Sequence, residues 1–179
     1  MEKITYEEAE KLLKYYFKDD TGVFKHSKAV SDFLYKICLK LKKLYPELNI
    51  DPEEMRIIGL LHDIGKSESK NENFHALTGS KILEKHGLQK IADTIKTHGI
   101  AKELFIMEGI KGNFKPKTLK QELLVYADFH VKGDEVVSFE ERFHDLLKRN
   151  KDNPKRYKAL KQGYERIKTI IQKIDKLLS

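Results

Sequence analysis

The sequence lacks long apolar runs, linker-like stretches and, with one exception, cysteine. Because no apolar run reaches the roughly 18 residues of a membrane-spanning helix, we expect no membrane partner. The lone Cys38 excludes a framework of intrachain disulfides and is typical of a buried thiol on an apolar helix. Residues Met1 to Thr5 lack the charged-then-apolar pattern of a signal peptide. These absences predict one domain over residues 1–179, located in the reducing cytoplasm.

Charge is abundant, and positive charge exceeds negative. Of the residues, 35% are charged, and the formal net charge is +7. Lysines distributed along amphipathic helices are typical of a solvated outer face. A basic balance also favours anionic substrates through electrostatic steering, but by itself it does not indicate nucleic-acid binding.

Apolar residues recur at helical spacing in nearly every segment, and no segment has a convincing strand pattern. We therefore predict an all-α globule of roughly seven to nine helices. The first helix should end near Asp19 to Gly22, and the second should run from about His26 to Tyr45. Four N-terminal capping signals mark helix starts: Thr5 to Glu8, Asp51 to Glu54, Thr118 to Gln121 and Ser138 to Glu141.

The C-terminal segment, about 154–178, repeats apolar residues in alternating steps of three and four. This heptad-like seam is typical of a helix that packs on its own domain or mediates a homodimer. A basic segment at 111–117 is interpreted as a solvated connection or as the rim of a site.

The most informative stretch, Leu-Leu-His-Asp-Ile-Gly-Lys, runs from Leu60 to Lys66 and closes an apolar helical run. Adjacent ionisable residues are costly to bury without partners, so His62 and Asp63 require a compensating group. Gly65 is expected to end the helix in a left-handed conformation. Lys66 should then point into the same cavity as His62 and Asp63.

Other polar side chains fall on the inward faces or at the ends of predicted helices: His26, His75, His98 and Asp128. Each has an ordinary explanation by itself, such as a routine hydrogen bond for His26 or an ion pair for Asp128. His86 precedes the predicted C-cap Gly87 and is interpreted as structural.

Taken together, the set resembles the HD superfamily of metal-dependent phosphohydrolases. Their hallmark is a histidine on one helix, an adjacent His-Asp on a second and a distant aspartate on a later helix. His26, His62-Asp63 and Asp128 match that order, and the signature His-Asp-Ile-Gly-Lys is unbroken from His62 to Lys66. The resemblance covers about residues 26–147.

The resemblance implies one or two divalent metal ions, drawn from Mn, Fe, Co, Ni, Zn or Mg. His26, His62, Asp63 and Asp128 would hold the first ion. His75 and His98 match the positions that hold a second ion in several branches, with Asp63 as the bridge. Some of those branches carry two paired histidines at the position that His98 matches, whereas here Gly99 follows His98. The Gly-Tyr-Pro signature of the cyclic-dinucleotide branch is absent.

The implied activity is hydrolysis of a phosphate ester in a nucleotide or nucleotide-like small molecule by a metal-activated water. Asp63 would bridge the ions and could orient the water. Lys66 would neutralise a phosphate oxygen or, alternatively, complement the helix dipole. Lys132 and Arg142 would meet the distal part of the substrate, although Arg142 could instead pair with a neighbouring carboxylate.

Two alternatives stay open. In the first, the same chemistry acts on RNA, the segment 111–117 follows the RNA backbone, and activity falls steeply with salt. In the second, the chain is a non-catalytic, metal-containing domain that binds a nucleotide and has a regulatory role.

Overall fold

The computed structural model describes residues 4–18 and 21–179. Within these residues the chain forms nine α-helices, and the predicted all-α fold is confirmed. The helices are α1 (Tyr6–Tyr16), α2 (Thr21–Leu44), α3 (Pro52–Leu61), α4 (His75–Lys85), α5 (Gln89–Ile95), α6 (Ala101–Met107), α7 (Leu119–Asp128), α8 (Phe139–Arg149) and α9 (Pro154–Leu178). Two short 3₁₀ helices, Ile64–Ser67 and Glu72–Phe74, lie between α3 and α4, in a segment for which the sequence predicts a polar loop.

One small ribbon was not predicted. Strand β1 (Val131–Lys132) pairs antiparallel with β2 (Glu135–Val136), with Val131 opposite Val136. Strands of two residues are too short to produce a recognisable alternation of apolar and polar residues. The turn between them contains Gly133 in the left-handed region, with φ 62°.

Local capping chemistry sets several helix starts as predicted. The Thr5 hydroxyl accepts a hydrogen bond from the Glu8 amide, while the Glu8 carboxylate accepts one from the Thr5 amide. Thr118 and Gln121 form the same reciprocal pair at the start of α7. Since each pair satisfies amides that lack intrahelical partners, these starts depend on only four residues. Asp128 is the last residue of α7, so the capping that sets the start of this helix also helps to position the Asp128 side chain.

The start of α2 differs from the prediction. This helix begins at Thr21, so His26 lies in its second turn and not in its first. The first helix was predicted to end near Asp19 to Gly22, and this is wrong for Thr21 and Gly22, which form the start of α2. Asp19 and Asp20 lie outside the described residues, as do Met1 to Lys3.

A single hydrophobic core is shared by all nine helices of the described chain. At its centre α2 packs along α3, and Gly59 allows the closest approach because a Cβ there would contact the Ser31 backbone. Helix α9 packs against α2, α6, α7 and α8. Among the described residues, no helix combines the length and apolar character that a membrane span requires.

Candidate metal centre

His62 and Asp63 lie just beyond the end of α3. The helix ends at Leu61, His62 keeps helical dihedral angles, and Asp63 turns away with φ −100° and ψ 8°. The prediction that one continuous helix carries both residues is therefore wrong. On a regular helix adjacent side chains diverge by about 100°. Leaving the helix allows the two groups to converge, so that His62 Nε2 lies 3.3 Å from Asp63 Oδ2.

Gly65 serves a different purpose from the predicted one. It lies inside the 3₁₀ helix Ile64–Ser67 and does not adopt a positive φ. A Cβ at this position would collide with the carbonyl oxygen of His75 and the amide nitrogen of Gly79. Gly79 likewise packs against the Gly65 backbone, since a Cβ there would lie 3.1 Å from the Gly65 nitrogen. This backbone crossing holds the first turn of α4, which carries His75, against the turn that carries Asp63.

The first half of the centre comprises His26, His62, Asp128 and one oxygen of Asp63. His26 Nε2 lies 3.4 Å from Asp128 Oδ1 and 3.9 Å from Asp63 Oδ2. His62 Nε2 lies 3.9 Å from Asp128 Oδ1. Helices α2 and α7 and the turn after α3 thus bring together four side chains from three segments that are distant in sequence.

The second half surrounds the other oxygen of Asp63. His75 Nε2 lies 3.4 Å from Asp63 Oδ1, and His98 Nε2 lies 3.6 Å from it. The two Nε2 atoms are 3.0 Å apart. Because Oδ2 faces His26 and His62 while Oδ1 faces His75 and His98, Asp63 is oriented as a bridging carboxylate.

Each of the four imidazoles is oriented by a backbone carbonyl. The Nδ1–H groups of His26, His62, His75 and His98 donate to the carbonyls of Gly133 (3.0 Å), Gly59 (2.7 Å), Glu72 (2.6 Å) and Ile95 (2.5 Å), respectively. A carbonyl can only accept, so Nδ1 must carry the proton. Nε2 is then left to present its lone pair to the centre, the orientation typical of metal-ligating histidines.

The residues of the centre fit a divalent metal ion. In the described part of the chain no group forms a hydrogen bond with the buried His62 Nε2, and an unpaired buried polar atom is costly. The Nε2 atoms of His75 and His98, so close together, require a proton or a cation between them. Two triads have ligand atoms within 4.8 Å of one another, His26–His62–Asp128 and His62–Asp63–His98. Imidazole and carboxylate ligands together suit first-row transition metals.

Both carboxylates are held ionised. Burial by itself raises the pKa of Asp63, but attraction to His62 and Lys66 outweighs it and holds that pKa well below its usual value. Burial likewise opposes ionisation of Asp128, yet its close contact with His26 and attraction to nearby positively charged groups such as Arg142 lower its pKa. Ionised carboxylates are the form that binds metal.

The two histidines of the second half are tuned in opposite directions. Burial, supported by the charges of His98 and Lys66, lowers the pKa of His75 to about 3 despite attraction to Asp63. His75 is therefore neutral at physiological pH, as a metal ligand must be. Burial also disfavours the charged form of His98, but its interaction with the Asp63 carboxylate, 3.6 Å away, outweighs this effect and raises the pKa of His98.

Three predicted cationic residues have different surroundings. The Lys66 ammonium forms an ion pair with Asp63 Oδ2 and lines the pocket over the centre. Arg142 is buried on the same pocket wall, where Nη1 donates to Asp145 Oδ2 at 3.0 Å and Nη2 lies 3.9 Å from Asp128 Oδ1. Lys132 is exposed on the ribbon, pairs with Glu141 at 2.9 Å and does not line the pocket.

Other predicted features lie away from the centre. His86 contacts the Tyr16 hydroxyl at 3.3 Å, consistent with a structural role. In the segment 111–117 the lysines are exposed, and Phe114 anchors the loop by packing its ring 4.5 Å from that of Phe105. None of these residues lines the pocket.

The pocket also contains residues that the sequence did not indicate. Its volume is about 60 Å³, and its wall includes Asn150 and Arg156. Four side chains of the metal centre also line it: Asp63, His75, His98 and Asp128. Both lie after the motif-bearing segment, at the junction of α8 and α9. Arg156 follows the helix-start signal of Asn153 and Pro154. That signal locates the residue in the first turn of α9 but does not indicate that it faces the pocket.

Comparison with known proteins identifies a family and a relative of this chain. A model of the HD domain family matches residues 23–177, which extends beyond the predicted motif-bearing segment and includes nearly all of α9. An uncharacterized protein of Methanocaldococcus jannaschii is 33% identical over 143 residues, which cover 75% of this chain and 83% of the relative. No solved structure matches the chain.

Proposed function

The chain belongs to the HD domain family, and from this membership we propose that it is a metal-dependent phosphohydrolase. Its substrate is a phosphate ester in a nucleotide or nucleotide-like small molecule. The observation that carries the proposal is the convergence of four imidazoles and two carboxylates around Asp63, with His62 Nε2 buried and lacking a partner.

The ligands divide between two ions. The first would be held by His26, His62, Asp128 and Asp63 Oδ2, and the second by His75, His98 and Asp63 Oδ1. When bound, such ions make water nucleophilic near neutral pH and neutralise charge on phosphoryl oxygens. The donor set suits Mn, Fe, Co, Ni or Zn, and Mg through its carboxylates.

The protein contributes charge and orientation. Lys66 places an ammonium beside Asp63 on the pocket wall, where it can donate to a phosphoryl oxygen. Arg142 is fixed by Asp145 and also donates to the Asp128 carbonyl at 3.4 Å. This arrangement orients the end of α7 and adds positive charge on the same side of the pocket.

The size of the pocket favours a small substrate. A volume of about 60 Å³ accommodates a phosphoryl group, since one water occupies roughly 10–15 Å³ in such cavities. The remainder of the substrate must therefore lie at the mouth. The basic segment 111–117 does not line this pocket, so the observations favour a small molecule over RNA.

The test combines elemental analysis of the purified protein with a substrate panel in the presence of Mn, Co or Ni. We expect bound transition metal and turnover of phosphomonoesters, dinucleotides or cyclic nucleotides. Turnover of RNA that falls steeply with salt would support the RNA alternative. Tight nucleotide binding with no turnover across the panel would support the regulatory domain and contradict an enzymatic function.

A further inference from the structure

Arg156 differs from the other arginines in its surroundings. The other four arginines each lie within 4.0 Å of a carboxylate oxygen. Arg56 pairs with Asp32, and Arg166 pairs with Glu103. Asp145 pairs with both Arg142 and Arg149. Among residues 4–18 and 21–179, no carboxylate oxygen lies that close to Arg156. Yet its side chain is partly buried on the wall of the pocket. A buried cation without a counter-ion is costly.

The guanidinium of Arg156 is held in place by neutral acceptors only. Nε donates to Asn150 Oδ1 at 2.9 Å, and Nη1 donates to the carbonyl of Glu72 at 3.1 Å. The same Glu72 carbonyl accepts the Nδ1–H of His75, which fixes Arg156 beside a ligand of the second half of the centre. The hydrogens of Nη2 have no acceptor in the described part of the chain.

These features describe a preorganised anion site. Burial lowers the pKa of Arg156, and the carboxylates of Glu72, Asp63 and Asp128, all more than 4.0 Å away, oppose that shift without pairing with it. A planar guanidinium whose position is already fixed loses little entropy when it binds phosphate in a two-pronged arrangement. The ligand that matches the site is therefore a phosphate group that approaches through the pocket.

Lys66 and Arg142 already flank the carboxylates at which the reacting phosphoryl group would lie. Arg156 lines the same pocket beside His75, since both donate to the Glu72 carbonyl. We propose that Arg156 binds a second phosphate of the substrate, next to the reacting one, so that the protein prefers substrates with two adjacent phosphates over monophosphates. This inference rests on the proposed phosphohydrolase function.

The test compares Arg156→Gln with Lys155→Gln. Lys155 is the adjacent residue in α9, carries the same charge and points outward to Glu108, so it is a matched control. We expect the ratio of kcat/KM for a nucleoside diphosphate over that for the monophosphate to fall at least about tenfold in Arg156→Gln and to change less than about twofold in Lys155→Gln. An equal loss for both substrates, or no loss, would overturn the inference.

Binding by calorimetry separates this inference from the function itself. With pyrophosphate and inorganic phosphate as probes at fixed Mn concentration, Arg156→Gln should weaken pyrophosphate binding about tenfold and leave phosphate binding within about threefold. Chelation of Mn in solution is the same for every variant. This selective loss would be seen even if the protein hydrolysed nothing. Equal weakening of both probes would contradict the second-phosphate assignment.

The conservative variant tests whether Arg156 is only a tether between α9 and the Glu72 turn. Arg156→Lys keeps the charge but loses the planar fork, so we expect an intermediate loss of pyrophosphate affinity. If its melting temperature falls while its selectivity for pyrophosphate is unchanged, Arg156 is a tether and the inference is wrong.

Discussion

At the scale of single residues, Asp63 joins the two halves of the centre. Its Oδ2 faces His26 and His62, and its Oδ1 faces His75 and His98. Each of its two oxygens thus faces a different pair of imidazoles. Loss of this one carboxylate should therefore affect both metal positions at once.

We expect Asp63→Ala to lose its bound metal and to lower turnover by more than about a hundredfold. His86→Ala, which removes an imidazole that contacts Tyr16 away from the pocket, should retain metal and keep turnover within about threefold. Metal per chain by elemental analysis and kcat/KM measure the two effects. A similar loss in both variants would mean that the ligands are misassigned.

Cys38 gives a second prediction at this scale. Its thiol is buried in α2, and burial raises its pKa to about 12. A raised pKa leaves the thiol protonated at all pH values well below 12, and only the thiolate is nucleophilic. Reaction with a thiol reagent at pH 8 should therefore be at least about a hundredfold slower in the native protein than in denaturant. Comparable rates would show that the thiol is accessible.

At the scale of elements, the crossing of the Ile64–Ser67 turn and α4 sets the position of Asp63 relative to His75. This crossing depends on the absence of side chains at Gly65 and Gly79, where backbone meets backbone. The β1–β2 ribbon has a comparable role at another edge, because its Gly133 carbonyl orients His26. Two small elements thus orient ligands that the longer helices supply.

We expect Gly65→Ala to destabilise the protein by about 2–3 kcal/mol, because the added Cβ collides with backbone that cannot rotate away. Gly109→Ala is the matched control, since Gly109 has φ 70° but open space around it. Its cost should be about 1 kcal/mol, from backbone conformation alone. Denaturant unfolding measures both free energies, and a larger effect at Gly109 would contradict close approach as the reason for Gly65.

At the scale of the whole molecule, α9 closes the pocket and completes the core. Its first turn contributes Arg156 to the pocket wall, and its later turns bury Ile167, Ile171 and Ile174. The heptad-like seam is therefore largely covered by the protein's own α6, α7 and α8. A homodimer through α9 and a cytoplasmic location both stay predictions, and light scattering in solution is the measurement for the first.

We expect Ile167→Ala to lower the free energy of unfolding by about 3 kcal/mol, because it leaves a cavity where α9 meets the core. Gln172→Ala, at an exposed position of the same helix, should change it by less than about 0.5 kcal/mol. Chemical denaturation tests both values. If Ile167→Ala dissociated an oligomer without loss of monomer stability, the seam would serve assembly and not the core.

From the amino-acid sequence we could predict the helical class, several helix starts and the residues of the centre that match the family signature. Capping pairs such as Thr118 with Gln121 depend on residues three positions apart, so they can be read directly from the chain. Helical periodicity is equally local. The pentapeptide beginning at His62 indicated the family because its residues are contiguous.

The arrangement of these residues became clear from how the chain folds. Lys132 lies away from the pocket, Arg156 lines it, and the two oxygens of Asp63 face different histidines. Gly65 is required for contact with α4 and not for a helix end. Each of these features depends on distances between segments far apart in the chain. Such distances follow from how the helices pack, and the spacing of residues along the sequence does not specify them.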